Sequence, residues 1–369
     1  MNIAILTQPL RFNYGGILQN WALQVVLNRL GHESTTLDPR RYTPIYELPY
    51  RMARHLGSRL IKGQRNASLL PEIRNNFVTK TKGKNTFIFI DKNINREEIK
   101  NYREELCGRY DAFIVGSDQV WRPKYNPYQP AMFLDFACRK EVKKIAYAAS
   151  FGTDEWEFSP EETNRFKELI KHFDAVSVRE ESGIGLCKSF FGIDVRQMID
   201  PTLLLDRNDY ISLTESNDTT FEGDLFVSFL DENPDKIRLV RNCCSKYNLT
   251  PFFGNSRVED NDAPIEDQVQ PPLEEWIKGF ETAKCIVTDS FHACVFSILF
   301  NKPFIVYGNR DRGLSRFESL LRIFGLSGQL VNTSAQFNDV NMEIDYNHIN
   351  SVLEAKRAAA INFLKESLV

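Results

Sequence analysis

What this chain lacks narrows it first. No stretch approaches the ~20 consecutive apolar residues that cross a bilayer. The opening Met1-Asn2-Ile3-Ala4-Ile5-Leu6-Thr7 is too short an apolar run for a signal peptide and leads to Arg11 without a cleavage site. Cysteine is sparse: seven residues, an odd number, with no Cys-x-x-Cys spacing and several inside apolar runs such as Ala293-Cys294-Val295-Phe296. They read as buried thiols of a reducing compartment, so a cytoplasmic location is expected. The five histidines, His32, His55, His172, His292 and His348, are scattered without ligand spacing, and no metal or other cofactor is expected. Charge of one sign is missing too. Forty-six basic residues oppose 49 acidic ones, a net of −3, interspersed along the chain. That balance argues against nucleic acid as a partner, yet two or three placed cations would suffice for a small anion. The Gly-x-Gly-x-x-Gly spacing of a dinucleotide site is also absent, which leaves a nicotinamide oxidoreductase least favoured.

What is present is a strand–helix rhythm over 369 residues, a length suited to two domains. Ile3–Leu6 predicts a buried strand and Ile17–Leu30 a helix closed by Gly31. Residues 39–95 are less regular: helices are expected around Tyr46–Lys62 and Ser68–Phe77, and a mobile loop near Lys80–Asn85. Strands follow at Asp111–Val115, Lys144–Ala149, Ala175–Val178 and Val195–Ile199, with helices at Pro160–His172 and Glu180–Phe190. A polar stretch at Asp206–Asn217 marks the expected boundary. Beyond it, strands are predicted at Asp224–Leu230, Thr250–Phe253, Cys285–Thr288 and Phe304–Tyr307. Helices are predicted at Pro234–Tyr247, from Pro272 to Ala283, and at Phe291–Phe300, Ser315–Phe324 and Asn347–Leu368. The expectation is an α/β protein of two Rossmann-like domains facing across a cleft. Residues 1–206 would form the first, on the acceptor side, and 207–346 the second, on the donor side. Residues 347–369 would be a helix packing back on the first.

Ligands of open parallel sheets bind beyond the carboxyl ends of the strands, and polar clusters fall there. They are Asn13-Tyr14-Gly15-Gly16, Gly116-Ser117-Asp118-Gln119-Val120-Trp121, Ser150-Phe151-Gly152, Arg179-Glu180 and Asp289-Ser290-Phe291-His292. A plainer reading stands beside each. Gly15-Gly16 suits a tight turn, Asp118 and Asp289-Ser290 suit helix caps, and Trp121 suits core packing. Arg179 suits an ion pair with Glu180 or Glu181, and His292 a hydrogen-bonded core histidine. Spacing alone does not separate the two.

Taken in order, the strings resemble the polysaccharide pyruvyl transferase family. They are Asn13-Tyr14-Gly15-Gly16-Ile17-Leu18-Gln19-Asn20-Trp21-Ala22-Leu23-Gln24, Val115-Gly116-Ser117-Asp118-Gln119-Val120-Trp121, Ala148-Ala149-Ser150-Phe151-Gly152 and Val176-Ser177-Val178-Arg179-Glu180. Asp200-Pro201-Thr202-Leu203-Leu204, Thr288-Asp289-Ser290-Phe291-His292-Ala293 with Pro303-Phe304, and Ser315-Arg316-Phe317 follow. The resemblance implies a GT-B-like fold, phosphoenolpyruvate as donor and a saccharide acceptor that receives a pyruvate ketal; lipid-linked and nucleotide-linked acceptors both stay open. Relatives reading Arg-Leu-His before the histidine carry an arginine where this chain has Ser290, and Arg179, Arg312 or Arg316 is expected to compensate. A donor with two anionic groups calls for an arginine fork, here Arg179, with backbone donors at the helix start near Phe291. His292 is the expected general acid and Asp118 the base. Trp121 would offer a face to a pyranose, and Asn13, Gly15, Gly16, Gln19, Ser117, Ser290 and Arg316 would contact substrate. Two alternatives remain: a nucleotide-sugar glycosyltransferase of the same fold, and a non-catalytic saccharide-binding homologue.

Overall fold

Short apolar runs become parallel strands when helices cover both faces, and here they build two sheets. The computed structural model describes residues 1–62, 71–137, 141–308 and 313–369. The first sheet holds β1 (Asn2–Leu6), β2 (Glu33–Pro39), β3 (Arg96–Ile99), β4 (Ala112–Val115), β5 (Lys143–Ala149), β6 (Ala175–Val178) and β7 (Arg196–Gln197), in the order β3-β2-β1-β4-β5-β6-β7. The second holds β8 (Leu225–Ser228), β9 (Pro251–Phe253), β10 (Cys285–Thr288), β11 (Phe304–Tyr307) and β12 (Leu330–Val331), in the order β12-β11-β10-β8-β9. Every pairing is parallel. In both sheets the order reverses beside the first strand, so the carboxyl ends open a crevice there.

The helices are α1 (Tyr14–Arg29), α2 (Leu48–Lys62), α3 (Pro71–Lys82), α4 (Lys84–Asn93), α5 (Gln129–Met132), α6 (Pro160–Ile170) and α7 (Glu181–Leu186). They continue as α8 (Arg207–Thr214), α9 (Pro234–Tyr247), α10 (Leu273–Thr282), α11 (Phe291–Leu299), α12 (Leu314–Ile323) and α13 (Tyr346–Ser367). None among the described residues is long and apolar enough to cross a membrane. Helix α1 is buried on nearly every side because it lies between the two sheets. Trp21 meets Tyr210 edge-on at 5.4 Å, and Tyr210 meets Phe296 at 4.8 Å, so one apolar core runs from the first half into the second. Helix α13 returns to the first half, where Phe363 approaches Tyr147 and Arg357 Nε donates to Leu203 O at 2.6 Å.

Several expectations need correction. The segment Lys80–Asn85 is not a loop: only Gly83 separates α3 from α4, and the segment is anchored. Lys82 Nζ donates to Val258 O at 2.9 Å, and Asn85 Nδ2 to Gln270 O at 2.8 Å. A Cβ on Gly83 would sit 2.5 Å from the Phe87 ring, so the tight corner requires glycine. Of Ser68–Phe77, residues 68–70 lie outside the described residues. The strand expected at Val195–Ile199 pairs over only Arg196–Gln197, and the helix after Arg179 changes to a wider turn at Cys187–Phe191 before Gly192 (φ 74°) ends it. Strand β2 was not foreseen because three of its five buried positions, Ser34, Thr36 and Asp38, are polar. Its partners are polar as well: Gln24 Nε2 donates to Thr36 Oγ1, whose own hydrogen goes to Asn20 Oδ1.

Candidate functional site

The two crevices face each other, and two helix starts meet across them. At the first, Asn13 caps α1 by accepting from Gly16 N at 3.2 Å. At the second, Ser290 caps α11 by accepting from Ala293 N. His292 lies on the first turn of α11 with its ring against Gly15: a Cβ there would fall 1.9 Å from His292 Nδ1. Gly15 is therefore demanded by close approach between halves rather than by backbone angle.

Behind this contact lies a buried charge cluster. Asp200, at the end of the segment following β7, accepts from Arg179 Nη1 at 2.8 Å and from Ser117 Oγ at 3.3 Å through Oδ2. Its Oδ1 accepts from Thr202 N and Oγ1 at 3.0 and 2.7 Å. His292 Nε2 stands 3.6 Å from Asp200 Oδ2. Burial works to raise the Asp200 pKa, but His292 and then Arg179 outweigh it and hold the group well below the ordinary carboxylate range. Arg179 also has Asp118 Oδ1 at 3.7 Å and Glu180 Oε2 at 3.9 Å. Against the opposing cost of its own burial, Asp200, Asp118 and Glu180 together raise its pKa.

The guanidinium of Arg179 lies 4.4 Å from the Phe291 ring centroid, and that of Arg316 lies 5.5 Å from the same ring. Burial, and then the charge of Arg179, lower the Arg316 pKa to about 10. Glu180 organises the neighbouring loop: Oε1 accepts from Ser150 Oγ, Phe151 N and Gly152 N at 2.7–3.0 Å. In front of the cluster is a cavity of about 240 Å³ whose lining includes Asn13, Tyr14, Gly15, Asn255, Trp276 and Ser290. It adjoins a larger one of about 570 Å³ at the carboxyl ends of β8 and β9.

A model of the polysaccharide pyruvyl transferase family matches residues 13–312, four-fifths of the sequence. The chain belongs to the polysaccharide pyruvyl transferase family. A comparison with curated proteins finds no match. Among solved structures, the chain is similar to a UDP-GlcNAc 2-epimerase from Neisseria meningitidis bound to UDP-GlcNAc. The two are 13% identical over 100% of this chain and 99% of that one, with a TM-score of 0.51. It is also similar to a UDP-GlcNAc 2-epimerase from Methanocaldococcus jannaschii in complex with UDP-GlcNAc and UDP, 12% identical over 94% of each chain, with a TM-score of 0.50. At such identities the likeness speaks for the GT-B fold alone.

Set against the family's motifs, the structure brings Asn13, Gly15, Gly16, Asp118, Arg179, Ser290, His292 and Arg316 around one place. Arg312 lies outside the described residues. Three residues expected to touch substrate stand behind the site instead. Trp121 is fully buried, stacked on Phe133 at 5.2 Å with its Nε1 donating to Met132 O, so neither face is open to a sugar. Gln19 is fully buried and spends its amide on Thr7 Oγ1, Gly16 O and Ser117 N. Ser117, also fully buried, donates to Ala148 O and Asp200. Both fix the loop that carries Asp118. Asp200 was missed as a site residue because an Asp before Pro reads as a strand stop; its place in a matching motif was the available signal. Trp276, whose Nε1 donates to Ser228 Oγ, had no signal at all.

Proposed function

We propose that this chain moves a pyruvyl group from phosphoenolpyruvate to a saccharide and leaves it there as a cyclic ketal. One observation carries the reading. Nε and Nη2 of Arg179 and Nε2 of His292 lack any hydrogen-bond partner, although each residue is only 5% exposed. Leaving a buried donor unpaired costs about 1–3 kcal/mol, and such a cost persists where a ligand completes the set. Two nitrogens of one guanidinium match a carboxylate, and the start of α11 supplies backbone donors for phosphate.

In the reaction, His292 gives a proton to the vinyl CH2, which becomes the methyl group. One sugar hydroxyl adds to the adjacent carbon and passes its proton to Asp118. A second hydroxyl of the same sugar then displaces phosphate and returns its proton to His292, while the proton held by Asp118 leaves with the phosphate; the C=C π bond and one C–O bond are lost, and one C–H and two C–O bonds are gained. Donor anchoring is shared between the halves rather than confined to the second.

A nucleotide-sugar donor is disfavoured by the larger cavity. Among its described lining residues Asp231, Glu232, Glu259 and Asp260 face one cation, Arg257, a setting that repels a diphosphate. The test has two arms. Thermal-shift titration with phosphoenolpyruvate and with UDP-sugars reads which ligand stabilises the native state. Mass spectrometry of saccharides incubated with phosphoenolpyruvate reads ketal formation together with phosphate release. Stabilisation by UDP-sugars and none by phosphoenolpyruvate would overturn the proposal.

A further inference from the structure

Charge is interspersed over most of the chain, but not between Leu48 and Ile90. That segment holds nine Lys or Arg residues and a single acid, Glu72, a balance of +8 in a chain whose total is −3. The same segment carries a concentration of exposed apolar side chains. On α2 and the turn before it, Tyr46 and Tyr50 are more than 70% exposed, and Met52 and Leu56 about 40%. On α3, Ile73 and Phe77, one turn apart, are also exposed.

The two helices are joined along their inner sides by Glu72, which meets His55 Nε2 at 2.9 Å and Arg51 Nη1 at 3.7 Å. What remains outward is Tyr50, Met52 and Leu56 with Arg54 on α2, and Ile73 and Phe77 with Arg74 and Lys80 on α3. Isolated exposed apolar residues are ordinary, but a cluster of them mixed with unopposed positive charge is the composition of a helix that lies in a bilayer interface.

We propose that α2 and α3 form a docking face for an anionic lipid bilayer. The basic side chains meet the headgroups, and Tyr50, Met52, Leu56, Ile73 and Phe77 enter the boundary with the acyl chains. The acidity of the remaining molecule orients the protein, because the rest of the surface is repelled by the same headgroups. The end of α3 and the start of α4 are tied to the cavity: the carbonyls gripped by Lys82 and Asn85 belong to Val258 and Gln270, both of which line it. Docking thus holds the cavity mouth close to the lipid surface. A nucleic acid would use the charge but has no place for the apolar side chains.

The test is co-flotation of the full chain with vesicles of phosphatidylcholine alone and of equal parts phosphatidylcholine and phosphatidylglycerol. Binding is read without turnover, so the outcome is independent of the reaction proposed above. The protein should float with the anionic vesicles only and be released progressively by salt. R54E/R74E/K80E should weaken binding by more than about 100-fold, at roughly fivefold or more per basic residue. Y50S/M52S/L56S should weaken it without changing the salt slope. Both sets are on exposed positions, and an unchanged melting temperature verifies folding. Failure to float with anionic vesicles, or floating of either variant as strong as the parent's, overturns the proposal. So does binding to duplex DNA or RNA at matching strength that the apolar variant leaves untouched, which would make the face a polyanion site.

Discussion

Two charge clusters meet at the start of α11, where Asp289 of one stands three residues before His292 of the other, and they differ in how fully their hydrogen bonds are made. In the second half, Lys236 is 1% exposed and its three protons all have partners: Asp231 O, Asp231 Oδ1 and Asp289 Oδ2. Asp289 uses its other oxygen on Leu230 N. That cluster is saturated, and it pins the loop after β8 to the start of α11. The cluster around Arg179 holds more charge, with Asp118, Glu180, Asp200 and Arg316 all buried about it, yet two of its guanidinium nitrogens and one imidazole nitrogen are left over. Burial of charge is common to both clusters, and unused hydrogen-bonding capacity is what sets the one around Arg179 apart from the one around Lys236.

The sharpest way to break this comparison is His292→Ala. Removal of a general acid should lower turnover by ~10²–10⁴-fold with phosphoenolpyruvate affinity much less affected. Parental turnover in this variant would remove His292 from the chemistry. Next comes the saturated cluster: Lys236→Met strands Asp289 without its counter-charge and should cost about 3–5 kcal/mol of stability in denaturant titration. Arg179→Lys makes the contrasting case. It keeps a positive charge beside Asp200 and Asp118, so the melting temperature should stay near the parent, while loss of the planar fork weakens donor affinity by roughly tenfold or more. Equal destabilisation by the two lysine-site and arginine-site changes would erase the distinction between clusters.

The smallest effect expected is in acid. Asp200 has a folded-state pKa depressed by His292 and Arg179, so its stabilisation is fully present above the unfolded value of about 3.9 and is lost as pH falls below it. The stability gap between the parent and Asp200→Asn should therefore narrow as pH drops through that range. A gap that stays constant from neutral to acid would show that the carboxylate charge is not what matters there.

Where apolar character is local, the sequence was sufficient. Ala175–Val178, Pro234–Tyr247, Cys285–Thr288 and Phe304–Tyr307 form with the limits that their apolar runs and caps dictate. Legibility fails where burial is polar. Strand β2 has a polar alternation that makes sense only once Gln24, Asn20 and Asn95 are brought to it. The site behaves likewise. Its motif residues were visible as strand-end clusters, but the division between those that line the cavity and those that hold the lining is a matter of depth. Trp121 and Gln19 look in sequence no different from Asn13 and Ser290. Asp200 gains its importance only from the convergence of Ser117, Arg179 and His292, which are separated by tens to more than a hundred residues.

The contact of His292 with Gly15 gives this enzyme family's chain an interlock. The proposed acid rides on α11, whereas the arginine and the carboxylates it works beside belong to the first sheet. On the proposed chemistry, any parting of the halves would withdraw His292 from Arg179 in the same movement that admits solvent. A half-open molecule would hold phosphoenolpyruvate without the means to activate it, and an activated donor would exist only with the jaws shut around a sugar. Protection against wasteful hydrolysis would then need no separate lid, because the missing side chain at residue 15 sets how tightly the halves must close.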